Sequence, residues 1–329
     1  MIIDFNQHDG LTFSEFSHIV SLCPNIQRIG ISVFGMQPPG RDTLGAADQW
    51  RMRRLAPPVL SEDVEKLRTA PNASRISGLR INHWSDNAEV FIQLLGIWPH
   101  ITSLKIAGKL PTTNNGTDPV FSTVPHNSAP CRLEALSLNC APGTESNVDF
   151  VKWLLAGSRY TLRRLEFLRE PSGKLLEDIF DRSAFPLECV YLPSCVSPAV
   201  EQIIRRRLGP TIVPMFDGDD EIDEDYAFVH VQGLKELFVE DPLTSLKFLL
   251  SAVRSETVQS FGFGIDTHTD LSSIARAIKV QTGLKRVAAW ICNDGGRNPG
   301  LGSLRVACAI RGIELAETQN AREFRSWKA

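Results

Sequence analysis

The chain has 329 residues, of which 43% are hydrophobic and 22% charged, a composition that excludes wholesale disorder. Its 35 basic and 38 acidic side chains leave a formal charge of -3, so no general attraction to nucleic acid or anionic lipid is expected. No apolar run approaches the roughly 20 residues of a membrane span. The opening "MIIDFNQHDG" also lacks the basic and apolar regions of a secretory signal.

In chain order, the first element is a helix-spaced run, "FSEFSHIVSL", followed by a short strand pattern, "IQRIGI" from Ile26. Residues 35 to 75 contain "GMQPPG" and "LAPPVL" and hold neither period, so they are read as an irregular insertion or a degenerate repeat. Order returns with "ISGLRI" from Ile76, the helix pattern "NAEVFIQLLGIW", "ITSLKI" from Ile101 and "LEALSL" from Leu133. Next come the helix pattern "NVDFVKWLLAG", "LRRLEF" from Leu162, "KLLEDIF" as helix, "LECVYL" from Leu187 and a helix-like "SPAVEQIIRRRL". A weaker "TIVPMF" begins at Thr211 and precedes an acidic run, "DGDDEIDEDY", at 217–226. The last third alternates "LKELFV" from Leu234, "LTSLKFLLSAV", "VQSFGF" from Val258, "LSSIARAIKV" and "LKRVAA" from Leu284. It closes on "SLRVACAIRGIELAE", a helix running into a strand through Ile313 and Leu315. Asn87, Asn147 and Asp270 are expected N-caps, and Pro198 and Pro242 suit first-turn positions.

Each strand pattern has apolar residues at relative positions 1, 4 and 6, and most starts lie about 25 residues apart. In a strand, positions 4 and 6 share one face while 3, 5 and 7 share the other. One strand–helix unit cannot bury its apolar side alone, but stacked units wall each other off. The expectation is an α/β solenoid over 1–329, a horseshoe with parallel strands inside and helices outside. Position 9 of such a unit is expected to turn the chain out of the strand and bond to neighbouring carbonyls; Cys195 and Cys292 hold it in their repeats.

The units "CPNIQRIGI", "WPHITSLKI", "YTLRRLEFL" and "QTGLKRVAAWI", with the closing "LRVACAIRGIEL", resemble leucine-rich-repeat proteins of ribonuclease-inhibitor-like type. More narrowly, they are similar to the divergent repeats of fungal F-box/leucine-rich-repeat proteins. That resemblance implies a substrate receptor of a cullin-type ubiquitin ligase, with the repeats holding the target and an F-box holding the Skp adaptor. No F-box is visible, since "FSEFSHIVSLCPNIQRIGI" enters a repeat directly. Skp adaptor and cullin are therefore expected as partners only if an F-box lies upstream or is missing from this chain.

Positions 3, 5 and 7 of the strands list the expected inner surface. The early repeats present Arg28, Arg80, Asn82, Lys105, Asn139 and Arg164, and the later ones Tyr191, Glu236, Phe238, Glu240, Arg286 and Trp290. Tyr191, Phe238 and Trp290 flanked by Arg and Glu have the composition of an interface centre, and this surface is the expected protein-binding site, the alternative being that loops or the acidic run cover the rings. Asp219, Asp220, Glu221, Asp223, Glu224 and Asp225 form a second expected site, an acidic loop that docks a basic segment of a partner or simply stays solvated. They do not make a calcium loop, because Ile222 and Phe228 stand where that loop needs Gly and Glu. The glycines of "FGFGID" lack phosphate-loop spacing and mark close backbone approach or a bend. The seven cysteines include no CxxC pair and are expected as reduced thiols in a cytoplasmic or nuclear protein. Scattered histidines offer no metal motif, and neither catalytic residues nor a cofactor are assigned. The alternative is an α/β hydrolase or transferase whose site assembles only in space.

Overall fold

A computed structural model describes residues 2–5, 13–31, 61–81, 88–107, 110, 128–140, 146–181, 186–193, 197–205 and 234–327. The chain divides into two units, Met1–Leu162 and Arg163–Ala329, and in both parallel strands alternate with helices.

The first unit runs β1 (Ile2–Phe5), α1 (Phe13–Leu22), β2 (Arg28–Ile31), α2 (Ser61–Thr69), a 3-10 turn (Ala73–Arg75) and β3 (Gly78–Ile81). It continues with α3 (Ala88–Ile97), β4 (Ser103–Ile106), β5 (Ala135–Leu138) and α4 (Ser146–Gly157). Strands β1 to β5 pair in chain order, all parallel. Their register aligns the repeats residue for residue: Ile29 faces Leu79, Leu79 faces Leu104, and Leu104 faces Leu136. Position 4 of every repeat thus stacks on position 4 of the next. Leu79, Ile81, Leu104, Ile106, Leu136 and Leu138 are buried, as are the position-1 residues Ile26, Ile76, Ile101 and Leu133. Part of the segment without a sequence period is a helix. In α2, Val64 and Leu67 are buried and the helix packs against α1.

The second unit runs β6 (Arg164–Phe167), α5 (Gly173–Asp181), β7 (Cys189–Leu192), α6 (Pro198–Arg205), β8 (Glu236–Val239) and α7 (Leu246–Arg254). It continues with β9 (Ser260–Ile265), α8 (Leu271–Val280), β10 (Arg286–Ile291), a 3-10 turn (Asn293–Arg297), α9 (Leu301–Arg311), β11 (Glu314–Thr318) and α10 (Ala321–Ser326). Strands β6 to β11 again pair in chain order and in parallel. The position-4 row reads Leu165, Val190, Leu237, Phe261, Val287 and ends on Leu315.

A recurring backbone device ties neighbouring repeats together. The position-2 carbonyls of Gln27, Ser77 and Thr102, and of Arg163, Glu188, Lys235 and Gln259, each accept two N–H groups from the following repeat, at 2.7–3.1 Å. Helix ends are clipped by buried side-chain amides. Asn72 Nδ2 donates to the carbonyls of Val20 and Cys23, and Gln281 Nε2 to those of Val253 and Ser255. These bonds satisfy carbonyls that a helix C-terminus leaves open.

Of the expected caps, Asp270 accepts from the Ser273 N–H at the start of α8, and Pro198 opens α6. Ser245, not Pro242, starts α7, accepting from the Phe248 N–H. Asn147 lies one residue inside α4, and Asn87 falls outside the described residues. Helix α9 ends at Gly312 with φ 66°, a left-handed turn that glycine adopts without strain and that aims the chain into β11. No helix among the described residues is long and apolar enough to cross a membrane.

Candidate functional site

The helices cover one face of the strands, which directs positions 3, 5 and 7 to the other. In the first unit this second face is polar. Arg80 lies between Gly30 and Lys105 in register, and Lys105 lies next to Ser137. Arg28 and Arg80 are exposed and Lys105 is half-exposed. Three cations thus stand on a strand face whose reverse side is closed by apolar packing. Asn139, expected on this surface, donates through Nδ2 to the Ala107 carbonyl at 2.6 Å. It therefore bonds to the neighbouring repeat's backbone, the role the sequence pattern reserves for position 9. Asn82 lies outside the described residues.

In the second unit the same face is different. A row across five strands reads Tyr191, Phe238, Gly262, Ala288, Ala316. Two large rings are followed by no side chain and then by two methyls, so the row forms a notch. Trp290, two residues beyond Ala288 and on the same face, flanks Gly264. Gly262 is a requirement of this geometry, because a Cβ there would meet Phe238 Cδ1 at 2.2 Å and Phe324 Cζ at 3.1 Å. A Cβ at Gly264 would meet the Glu240 carbonyl at 2.9 Å, the close backbone approach that the glycine-rich run suggests.

The notch is filled. Helix α10 lies over it, with Phe324 fully buried against Phe238 (ring centroids 6.1 Å, edge to face) and Trp290 (6.3 Å). Trp327 packs on Phe324 at 6.1 Å. Arg286 Nη1 donates to the Trp327 carbonyl at 3.2 Å, and its guanidinium lies 6.0 Å from the Trp327 ring centroid. Cys189, Tyr191, Phe238, Ala288 and Phe324 thus form a small core on the face opposite the helices.

The expectation of an open aromatic surface is corrected accordingly. Tyr191 is 3% exposed and Phe238 is 1% exposed, while Trp290 and Arg286 are half-buried. The physical reason lies in residues 321–327, which fold back over Phe238 and Trp290, where the pattern shows only a last strand. The available signal is the Phe324–Trp327 pair, two aromatic residues three positions apart in the otherwise polar "NAREFRSWKA". Glu240 is also buried, and its carboxylate accepts a short hydrogen bond from the Tyr191 hydroxyl. Arg164 remains exposed and Glu236 half-exposed. The six acidic loop residues, Asp219, Asp220, Glu221, Asp223, Glu224 and Asp225, lie outside the described residues, as do Cys195 and the strand pattern at Thr211.

Position 2 carries a charged row that the 1-4-6 pattern does not reveal. Glu188 bridges Lys235 at 2.9 Å and Arg163 at 3.2 Å, each in an adjacent repeat. The Lys235 hydrogen bond holds the Glu188 carboxyl below the usual carboxylate range. Burial pushes the thiols of Cys131, Cys292 and Cys308 up to about 11 and that of Cys140 to about 12, so they are protonated at neutral pH. Position 9 at Cys292 bonds both ways: Sγ to the Trp290 carbonyl at 3.5 Å and the backbone N–H to the Ile265 carbonyl at 2.8 Å. Among the described residues no three His, Cys, Asp or Glu side chains converge to hold a metal ion.

No protein-family model matches the chain, and no curated protein matches it.

Proposed function

We propose that this chain is a leucine-rich-repeat-type solenoid, a horseshoe whose helix-free strand face binds another protein. What supports the reading is one observation, the register. Position 4 of each repeat stacks on position 4 of the next within both units, so positions 3, 5 and 7 form continuous rows on the opposite face. In the first unit those rows carry Arg28, Arg80 and Lys105, which favour an acidic segment on the partner. Cys23, Cys131, Cys140, Cys292 and Cys308 as thiols outside any disulfide accord with a cytoplasmic or nuclear setting. The resemblance to F-box receptors extends the proposal to substrate recognition for a ubiquitin ligase.

Affinity capture with the full chain tests this reading. Arg80→Glu combined with Lys105→Glu is expected to lose the captured partner while the melting temperature stays unchanged. Reversal of Arg276 and Lys279, both exposed on helix α8, is expected to keep it. Equal capture by both reversed chains would refute the strand face as the binding surface. Recovery of a Skp adaptor and a cullin with the chain tests the ligase part separately.

A further inference from the structure

We propose that residues 320–327 are a built-in, displaceable occupant of a partner-binding notch on the second unit, and that the partner presents a short helix with two aromatic residues three positions apart. The proposal rests on the protein-binding reading of the strand face and names what that face accepts in this unit.

Three side chains with the composition of an interface centre, Phe238, Arg286 and Trp290, are the same three that hold residues 324–327, and Tyr191 belongs to the same buried cluster. Phe324 enters the notch over Gly262, between Phe238 and Trp290, and Trp327 closes it under the Arg286 guanidinium. The contacts are those a foreign helix would make: ring faces and edges, and a main-chain carbonyl accepting from Arg286 Nη1. Nothing in them requires the occupant to be covalently attached.

The first turn of the occupant is also shaped by its own local hydrogen bonds. The Asn320 N–H donates to Thr318 Oγ1 at 3.0 Å, and the Thr318 hydroxyl donates to Glu323 Oε2 at 2.5 Å, so the first turn is closed by local bonds. The Phe324 N–H completes the turn on the Asn320 carbonyl at 3.0 Å. Helix α10 is six residues long and lies outside the sheet, so releasing it breaks none of the described strand pairings and leaves the position-4 core intact. A helix this short is not stable without the surface it lies on, so leaving the notch and unwinding are one event. The segment is tethered directly behind β11 and competes at an effective concentration on the order of millimolar. A partner therefore has to bind tightly enough to outcompete it, which makes the segment a threshold on capture.

The test uses a fluorescent synthetic peptide, "ETQNAREFRSWKA", with the sequence of residues 317–329. It is titrated into the wild-type full chain and into a full chain carrying Phe324→Ala and Trp327→Ala, whose own segment has lost both anchors. For a peptide of about 100 µM affinity and a tethered competitor near 1 mM, the vacated chain is expected to bind roughly tenfold more tightly than wild type. A peptide with both aromatics replaced by Ala is expected not to bind. Equal binding to both chains, or binding to neither, overturns the proposal. So does loss of the cooperative thermal transition in the double variant, which would make the segment an inseparable part of the core. A wild-type dimer that disappears in the double variant would assign the notch to a second copy and equally overturn it. The peptide titration involves no partner, so it separates the two readings. Failure of the peptide with charge-dependent capture intact removes the occupant alone, and the converse removes the wider scaffold reading.

Discussion

Phe238→Ala is the substitution that most sharply separates a core ring from an exposed one. Phe238 stands at position 5 of its strand, where the repeat pattern points side chains away from the helices, yet it is 1% exposed. Removing the ring deletes the edge-to-face contact with Phe324, opens space beside Gly262 and removes the neighbour of Tyr191 in the row. Truncating a buried Phe costs about 3–5 kcal/mol when the cavity cannot collapse. Helix α10 lies outside the sheet and can settle toward the gap, so the lower end, about 3 kcal/mol, is expected. At roughly 2–4 °C per kcal/mol for a unit of this size, the melting temperature falls by about 6–12 °C. Thermal melts followed by circular dichroism, with a urea titration at 25 °C, measure both quantities. Trp290→Ala, removing a half-buried ring, is expected to cost less than half as much. A Phe238→Ala chain melting within about 2 °C of wild type would show the ring on an open surface and refute the occupied notch.

Gly262→Ala places a methyl where Phe238 and Phe324 already meet, and is expected to raise acrylamide quenching of tryptophan fluorescence as Trp327 is displaced. Arg286→Ala removes the bond to the Trp327 carbonyl, so hydrogen exchange should quicken in residues 321–327 while β9 keeps its protection. Asp270→Ala removes the cap of α8 and should cost about 1 kcal/mol. Because hydrogen bonds from the Ser273 side chain and N–H hold the Asp270 carboxyl below the usual range, the cap's contribution is present above about pH 4 and fades as pH falls through its lowered value. The buried thiols work in the opposite direction. Their pKa values rise from 9.0 to about 11, and for Cys140 to about 12, so above pH 9 the unfolded chain loses protons that the folded chain keeps. Stability should therefore decline between about pH 9 and pH 11, read as a falling melting temperature, and thiol labelling of the native chain at pH 8 should be slow.

The strands were legible because burial dictates them. Positions 1, 4 and 6 all point at the helices, so Ile76, Leu79 and Ile81, or Leu234, Leu237 and Val239, cannot be polar without opening the core. The helices followed from the 3.6 period, and α1 spans the same ten residues as its pattern. Helix α2 was hidden because only Val64 and Leu67 mark its buried side amid proline-rich flanks. The candidate surface was legible in composition but not in exposure. A strand residue's face follows from its own position, whereas its accessibility depends on what folds over it. Phe238 is covered by a segment whose six-residue helix is too short to show a period. Likewise, the pairing of Tyr191 with Glu240 joins residues 49 positions apart and has no local signature.

A lysine-labelling footprint of the full chain, alone and with its captured partner, tests the strand-face claim most directly. Lys105 lies on the helix-free face, and Lys247 and Lys279 lie exposed on helices α7 and α8. The proposed function predicts that the partner protects Lys105 and leaves Lys247 and Lys279 as reactive as in the free chain. Protection of Lys247 and Lys279 with Lys105 still reactive would contradict it.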